Sequence, residues 1–282
     1  MSEGRAPSTA SLLAALIADT FQEARARWLF WGLFGLSTLL IAFFLFILKI
    51  DVVQGAVSLL GIDRTSHHYY SLERVVRFAY SKVAMFLYVW ETFLAIFASA
   101  GLTPSILEPG RVGLLLSKPV SRPVLLMGRF IGNTLIITAN VTYLICSIWI
   151  IVGLKTKLWY PEFLITIPIT VLVFAVLLCV VVLIGIAFES ASVAVMVTFA
   201  IILMSAVLAQ RDLFVKLLDA EWARQLWLAL YWIFPKVWDL GRTISDFIAN
   251  RQAEWFRAAW TSALFGVAVL GAAIQVFRKR DY

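Results

Sequence analysis

One carboxylate stands alone in the apolar part of this sequence. Glu91 interrupts a run that is otherwise free of charge from Val83 to Leu107. A helix over that run carries Glu91 into a membrane, where a buried charge costs several kcal/mol. The residue therefore lines a translocation pathway, pairs with a hydroxyl or indole of a neighbouring helix, or carries a proton; a functional and a structural role both stand open. His67 and His68, beside Tyr69 and Tyr70, hold two imidazoles that suit copper or zinc. No cysteine and no acidic residue at a ligand-like spacing completes such a site, and solvated histidines are the simpler reading. Cys146 and Cys179 fall inside apolar runs and read as buried free thiols. Glu189, with Ser190 and Ser192, marks a tight turn between two such runs. There is no H-E-x-x-H, no G-x-S-x-G and no paired set of intramembrane carboxylates, so hydrolytic chemistry has no visible machinery. A G-x-x-x-x-G-K-[ST] phosphate loop is also missing. The expectation is a chain with no catalytic residue, no bound cofactor and no metal site.

The elements that must position these residues follow from composition. The 282 residues are 62% hydrophobic and only 15% charged, against roughly 45–50% and about 25% in soluble domains. So much apolar surface cannot be buried in a soluble domain of this size, nor can so few charges coat one. A bilayer span needs roughly 20 mostly apolar residues, and six such runs occur, at about 28–48, 83–101, 128–154, 163–188, 190–210 and 258–277. They lack the alternation of barrel strands. The predicted fold class is therefore an all-α polytopic membrane protein with six transmembrane helices. Pro168 falls inside the fourth run and predicts a kink there. The net charge of +7 is spread over span ends and loops with no basic stripe, so nucleic acid is not an expected partner. Counting cations on the two sides does not orient the bundle. The flanks of the first span, Arg25 and Arg27 before it and Lys49 beside Asp51 after it, lean toward a cytoplasmic N-terminus.

The segments between spans differ in character. Residues 8–27 are amphipathic, with Leu13, Leu16, Ile17, Phe21, Ala24 and Trp28 recurring at steps of three and four and Asp19, Glu23 and Arg27 on the other face. This reads as a helix in the membrane interface, the alternative being a helix packed on a protein partner. Residues 211–257 carry Trp222, Trp227, Tyr231, Trp232, Trp238 and Trp255, which suit the headgroup level. They predict one or two short helices closing the outer end of the bundle. The loop 102–127 is unlike the others. Pro109, Pro119 and Pro123 limit it to short helical pieces. Glu108 and Arg111 bracket Pro109-Gly110, and Leu114–Leu116 form an apolar knob, a combination suited to docking on a protein surface. Gly128 and Gly132, four apart, would allow close helix approach, a common and weak pattern.

The stretch 98–132 carries a resemblance. It runs from Ala98-Ser99-Ala100-Gly101 through Glu108, Gly110 and Leu114-Leu115-Leu116 to Pro119-Val120-Ser121-Arg122, with Gly128, Arg129 and Gly132 beyond. In these residues the chain resembles the permease subunits of ABC-2 type transporters, in particular bacterial six-span permeases related to the nitrous-oxide-reductase maturation permease. Tyr231-Trp232-Ile233-Phe234-Pro235 is a weaker match, and Val112 stands where the family commonly has Thr. The resemblance implies a non-enzymatic half-transporter that pairs with a second permease protomer as a homodimer. Each protomer would dock a cytoplasmic ABC ATPase, two copies in all, through the loop after the second span, the coupling helix. ATP and Mg would sit on that ATPase. Glu108, Gly110, Arg111, Leu114, Leu115, Leu116, Pro119 and Arg122 would be the ATPase-coupling residues, and Glu91 a residue of the translocation pathway.

The resemblance further implies a multi-pass protein of the bacterial inner membrane with both termini cytoplasmic. Residues 1–27 would form a cytoplasmic interfacial helix, 28–282 the transmembrane domain, 102–127 the cytoplasmic coupling loop and 211–257 the extracytoplasmic connection. Membrane lipid and an extracytoplasmic partner protein complete the expected contacts. The expected function is to couple ATP hydrolysis by the partner to substrate export or force transmission. The alternatives are an ion-gradient-driven secondary transporter and a non-transporting membrane scaffold. The former class shows internal repeats and several midplane polar residues, whereas one deep carboxylate and no evident repeat are present here.

Overall fold

The computed structural model describes residues 9–26, 28–47, 72–100, 122–211, 214, 220–251 and 255–279. Among these the chain is all helix and turn. The helices are α1 (Thr9–Ala26), α2 (Trp28–Ile47), α3 (Leu72–Ala100), α4 (Arg122–Thr156), α5 (Thr166–Phe188), α6 (Ala191–Leu208), α7 (Glu221–Ile233), α8 (Val237–Ile248) and α9 (Trp255–Lys279), with a short 3-10 helix at Pro161–Ile165 leading into α5. Five of them are long and apolar enough to cross a membrane; a sixth span follows if α1 and α2, bent by 70° to each other, count together. The protein is an all-α polytopic membrane protein.

α5 is apolar on every side, as a helix surrounded by other helices must be. It packs against α3, α4, α6 and α9. Gly266 of α9 lets that helix close on α5, since a Cβ there would lie 3.2 Å from Val176. α1 lies along α4, and α2 packs on α4 at the edge of the bundle. α8 is the most amphipathic element. It lies at the end of the bundle opposite α1 and rests Val237, Leu240, Ile244 and Ile248 on α3, α5, α6, α9 and the 3-10 turn.

Helix boundaries differ from the expected runs where the chain extends beyond hydrocarbon. α4 starts at Arg122 rather than near 128, and its 35 residues span about 50 Å, well over a hydrocarbon core of about 30 Å. Pro123 stands in its first turn, where the missing N–H has no intrahelical partner to lose. Residues 122–127, read from the sequence as loop, thus belong to this helix. The expected kink at Pro168 is replaced by another solution. Pro168 falls in the first turn of α5, directly after the 3-10 helix, where its ring is tolerated. Glu189 takes the left-handed conformation at φ 51°, and Ser190 caps α6 by accepting from the Val193 N–H at 3.4 Å. These two residues make the tight turn that the polar break predicts. Cys146 and Cys179 are both free.

Candidate functional site

The most constructed region lies where α4 begins. α4 needs a close partner on its second and third turns, because Gly128 and Gly132 remove two side chains from one face. α1 fills that groove. A Cβ added at Gly128 would lie 2.6 Å from the Leu16 Cβ, and one at Gly132 would lie 2.7 Å from the Thr20 Cβ. Thr20 turns its hydroxyl back to the Leu16 carbonyl at 2.8 Å, so its hydrogen is satisfied within α1. Arg129, on the same face, donates from Nη2 to Asp19 Oδ2 at 2.8 Å and from Nη1 to Glu23 Oε2. The Arg129 and Glu23 side chains are 7% and 8% exposed, whereas Asp19 is half open. A guanidinium spans two carboxylates a helical turn apart because its donors form a rigid fork. Arg122 donates to the Phe277 carbonyl at 3.4 Å, which serves one of the orphan acceptors at the end of α9. The start of α4 is thereby tied to α1 on one side and to the C-terminal helix on another.

From this clasp a polar seam runs along α4 into the bundle. Asn133 and Asn140, two turns apart, share the buried face of α4. Ser99 of α3 donates to Asn133 Oδ1 at 3.3 Å. Ser37 of α2 lies 3.2 Å from Asn140 Oδ1 and 3.5 Å from Glu91 Oε1. Thr38 and Tyr143 exchange a hydrogen bond at 3.1 Å. Polar pairs of this kind hold helices together where lipid supplies no hydrophobic drive. Glu91 is 0% exposed. Its Oε1 lies against Ser37 of α2, which also meets Asn140 of α4, so Glu91 belongs to this polar seam and has the hydroxyl neighbour that one of its sequence readings expected.

A second built region closes the opposite end. The α7–α8 corner turns at Phe234-Pro235, and the next residue, Lys236, is buried. Its backbone N–H donates to Ser262 Oγ at 2.9 Å and its Nζ to Thr261 Oγ1 at 2.9 Å, which fixes the corner to α9. Nζ also lies over the rings of Tyr231 (4.8 Å) and Trp232 (5.0 Å), where ring quadrupoles favour a cation. Burial pulls the Lys236 pKa down, opposed by Asp239 and aided by Arg211 and Arg257. Tyr231 donates to Asp239 Oδ2 at 2.8 Å. Burial, and then the carboxylate it serves, push the phenol above its usual range. Ser205 of α6 accepts from the Trp238 N–H at 3.2 Å, and Tyr88 of α3 donates to the Val237 carbonyl at 2.6 Å. Gly241 lets α8 settle on the Tyr88 ring, 2.7 Å from where a Cβ would stand.

Of the residues singled out from sequence, Arg122, Gly128, Arg129 and Gly132 come together at the start of α4, and Glu91 lies in the seam above them. Glu108, Gly110, Arg111, Leu114, Leu115, Leu116, Pro119, His67 and His68 lie outside the described residues. The residues that sequence reasoning missed are Asp19 and Glu23 as partners of Arg129, and Ser37, Asn133 and Asn140 as the seam. One signal was present: two asparagines seven apart in an uncharged run. The charged face of α1 turns Asp19 and Glu23 toward α4. Among the described residues no three His, Cys, Asp or Glu side chains converge.

An apolar bundle of long helices with a polar seam and charged links at one end defines a polytopic membrane protein. The chain matches the family model for ABC-2 family transporter proteins over residues 14–281 and belongs to that family. Comparison with curated proteins finds no match. Membership makes this chain a permease of an ABC-type transporter.

Proposed function

We propose that this permease is driven by a separate cytoplasmic ABC ATPase that docks on the segment joining α3 to α4. The reading places Glu108, Gly110, Arg111, Leu114, Leu115, Leu116 and Pro119 in the docking element and Arg122 at its junction with α4. It also gives the chain two cytoplasmic termini in a bacterial inner membrane, and pairs it with a second copy of itself so that two ATPase subunits act on two permeases. The pair exports a substrate or transmits force across the membrane, with ATP and Mg held on the ATPase.

The observation that supports this reading is the set of links at the start of α4. Asn133 is bonded to Ser99 near the end of α3, Arg129 to α1, and Arg122 to the end of α9. A displacement of the α3–α4 connection therefore reaches four helices as one body, and from there the polar seam. Force applied to a free loop would be lost in that loop; force applied here has packed side chains to carry it.

Affinity purification of the full-length chain from its native membrane tests the proposal. The expected result is an ATP-hydrolysing subunit at one copy per permease, released by changing Leu114, Leu115 and Leu116 together to Ser or by Arg111→Glu. Purification of the intact permease without any such subunit, under conditions that keep it folded, would overturn it.

A further inference from the structure

Around Glu91, oxygen atoms converge that share too few hydrogens. Ser37 Oγ lies 3.0 Å from the Leu33 carbonyl, 3.2 Å from Asn140 Oδ1 and 3.5 Å from Glu91 Oε1. A hydroxyl carries one hydrogen and can serve one of these acceptors at a time. Glu91 Oε2 and Asn140 Nδ2 are buried with no partner among the described residues. Turning the Asn140 amide over, an assignment set by the network and not by electron count, lets its nitrogen donate to Ser37 and frees the hydroxyl for Glu91 Oε1. Glu91 Oε2 and the amide oxygen then remain without a hydrogen. In both arrangements the carboxyl group keeps an unserved oxygen.

Among the described residues no fixed cation answers this deficit. Ser37, Glu91 and Asn140 are all 0% exposed. α2, α5 and α6 contain no Asp, Glu, Lys or Arg. The nearest such residue on α3 is Lys82, and those on α4 are Arg129 and Lys155; each lies about 13 Å or more away along its helix. Arg129 is held by Asp19 and Glu23. α8 meets α3 at Tyr88, one turn from Glu91, and its charged residues are Asp239, Arg242 and Asp246, of which Asp239 accepts from Tyr231. The other titratable side chains of the adjoining helices are Tyr80, Tyr88, Tyr143, Cys146 and Cys179, none of them a cationic type, and Tyr88 and Tyr143 are engaged with Val237 and Thr38.

An enclosed cluster of carboxylate, hydroxyl and amide oxygens with one negative charge has the ligand chemistry of a hard cation of one positive charge; a divalent ion would call for more carboxylates. We propose that Glu91, Ser37 and Asn140 form an intramembrane site for a single monovalent cation, a proton or a sodium ion. Occupancy supplies the missing positive partner and holds α2, α3 and α4 together, so the permease carries a cation-sensitive joint in addition to any drive from an ATPase.

The test needs no ATPase and is independent of that reading. The full-length protein in lipid nanodiscs is treated with dicyclohexylcarbodiimide, and the Glu91 peptide is followed by mass spectrometry, with Glu91→Gln as the unlabelled control. In the labelling step the carboxyl oxygen bonds to the carbodiimide carbon and the carboxyl proton moves to a carbodiimide nitrogen. A sodium site predicts labelling that falls about tenfold when saturating sodium chloride replaces choline chloride at fixed pH. A proton site predicts indifference to sodium and a fall of about tenfold per pH unit above the midpoint. Ser37→Ala should move whichever midpoint is found. Labelling that answers to neither ion, labelling only after denaturation, or a midpoint that Ser37→Ala leaves in place would each overturn the site.

Discussion

At the scale of single residues, two charged groups behave in ways their neighbours in sequence do not announce. Arg129 sits in the first turns of a span, a place where an arginine ordinarily marks the membrane edge and reaches for water. Here it is enclosed by Asp19 and Glu23. Removing one member of a buried pair leaves the other charge uncompensated, at a cost of about 3–5 kcal/mol. Arg129→Ala should therefore lower the unfolding midpoint of the purified protein sharply. Arg129→Lys should recover only part of the loss, because one ammonium cannot reproduce a fork to two carboxylates. Thermal unfolding in detergent separates the two variants, and equal midpoints would refute the clasp. Tyr231 offers a pH test. Its folded pKa is raised above the ordinary value of 10.0, first by burial and then by its bond to Asp239. The stability tied to the neutral phenol is thus fully present below pH 10 and is lost as pH rises through the folded value. Spectrophotometric titration should show fewer tyrosines ionising near pH 10 in the native protein than in the denatured one, and Tyr231→Phe should abolish part of that difference.

At the scale of elements, α1 is the instructive case. Its period of three and four reads as a helix on lipid, with a helix packed on protein as the alternative, and the structure adds a protein contact to one side of it. Phe21 is exposed on one side, while Leu16, Thr20 and Ala24 close on α4. Two glycines on the partner decide the contact, since only a missing side chain lets the helices approach this closely. Gly132→Leu should force a clash worth about 1–3 kcal/mol and lift α1 from the bundle. Limited trypsin digestion reads this directly: cleavage after Arg25 should accelerate in Gly132→Leu and change little in Gly271→Leu, where an added side chain meets open space. Equal rates in the two variants would remove the packing role assigned to Gly132.

At the scale of the whole molecule, two built ends enclose a single polar seam. The α1 end is held by charge, through Arg122 and Arg129, and the opposite end by a buried lysine among aromatic rings. α5, the most apolar helix, joins them as the common packing partner. An even number of spans would leave both termini on one side, with the α7–α8 corner on the other. In sealed inverted vesicles, protease sites fused at residues 1 and 282 should both be cut, and maleimide should fail to label Arg251→Cys until the membrane is opened. In right-side-out vesicles the pattern should reverse. A split result for the two termini would refute the even count.

Much of the architecture was legible in one dimension because hydrocarbon imposes a one-dimensional rule. A span must be long, apolar and helical, so composition and charge spacing suffice to find it. The turn at Glu189-Ser190 was legible for the same reason, as a polar break between two apolar runs. The candidate site was not legible in that way. Arg129 meets Glu23 across 106 positions of chain and Ser37 meets Asn140 across 103, and no local periodicity encodes such pairings. Sequence could mark Glu91 as costly to bury, but not that Ser37 of α2 would meet it. Sequence by itself determined that this chain is an apolar helical bundle with a Pro- and Gly-rich connection between its second and third spans. Only the tertiary structure decided which polar residues meet inside it, because in the membrane interior helices choose partners by side-chain fit and hydrogen bonding, both properties of pairs of surfaces and not of a single segment.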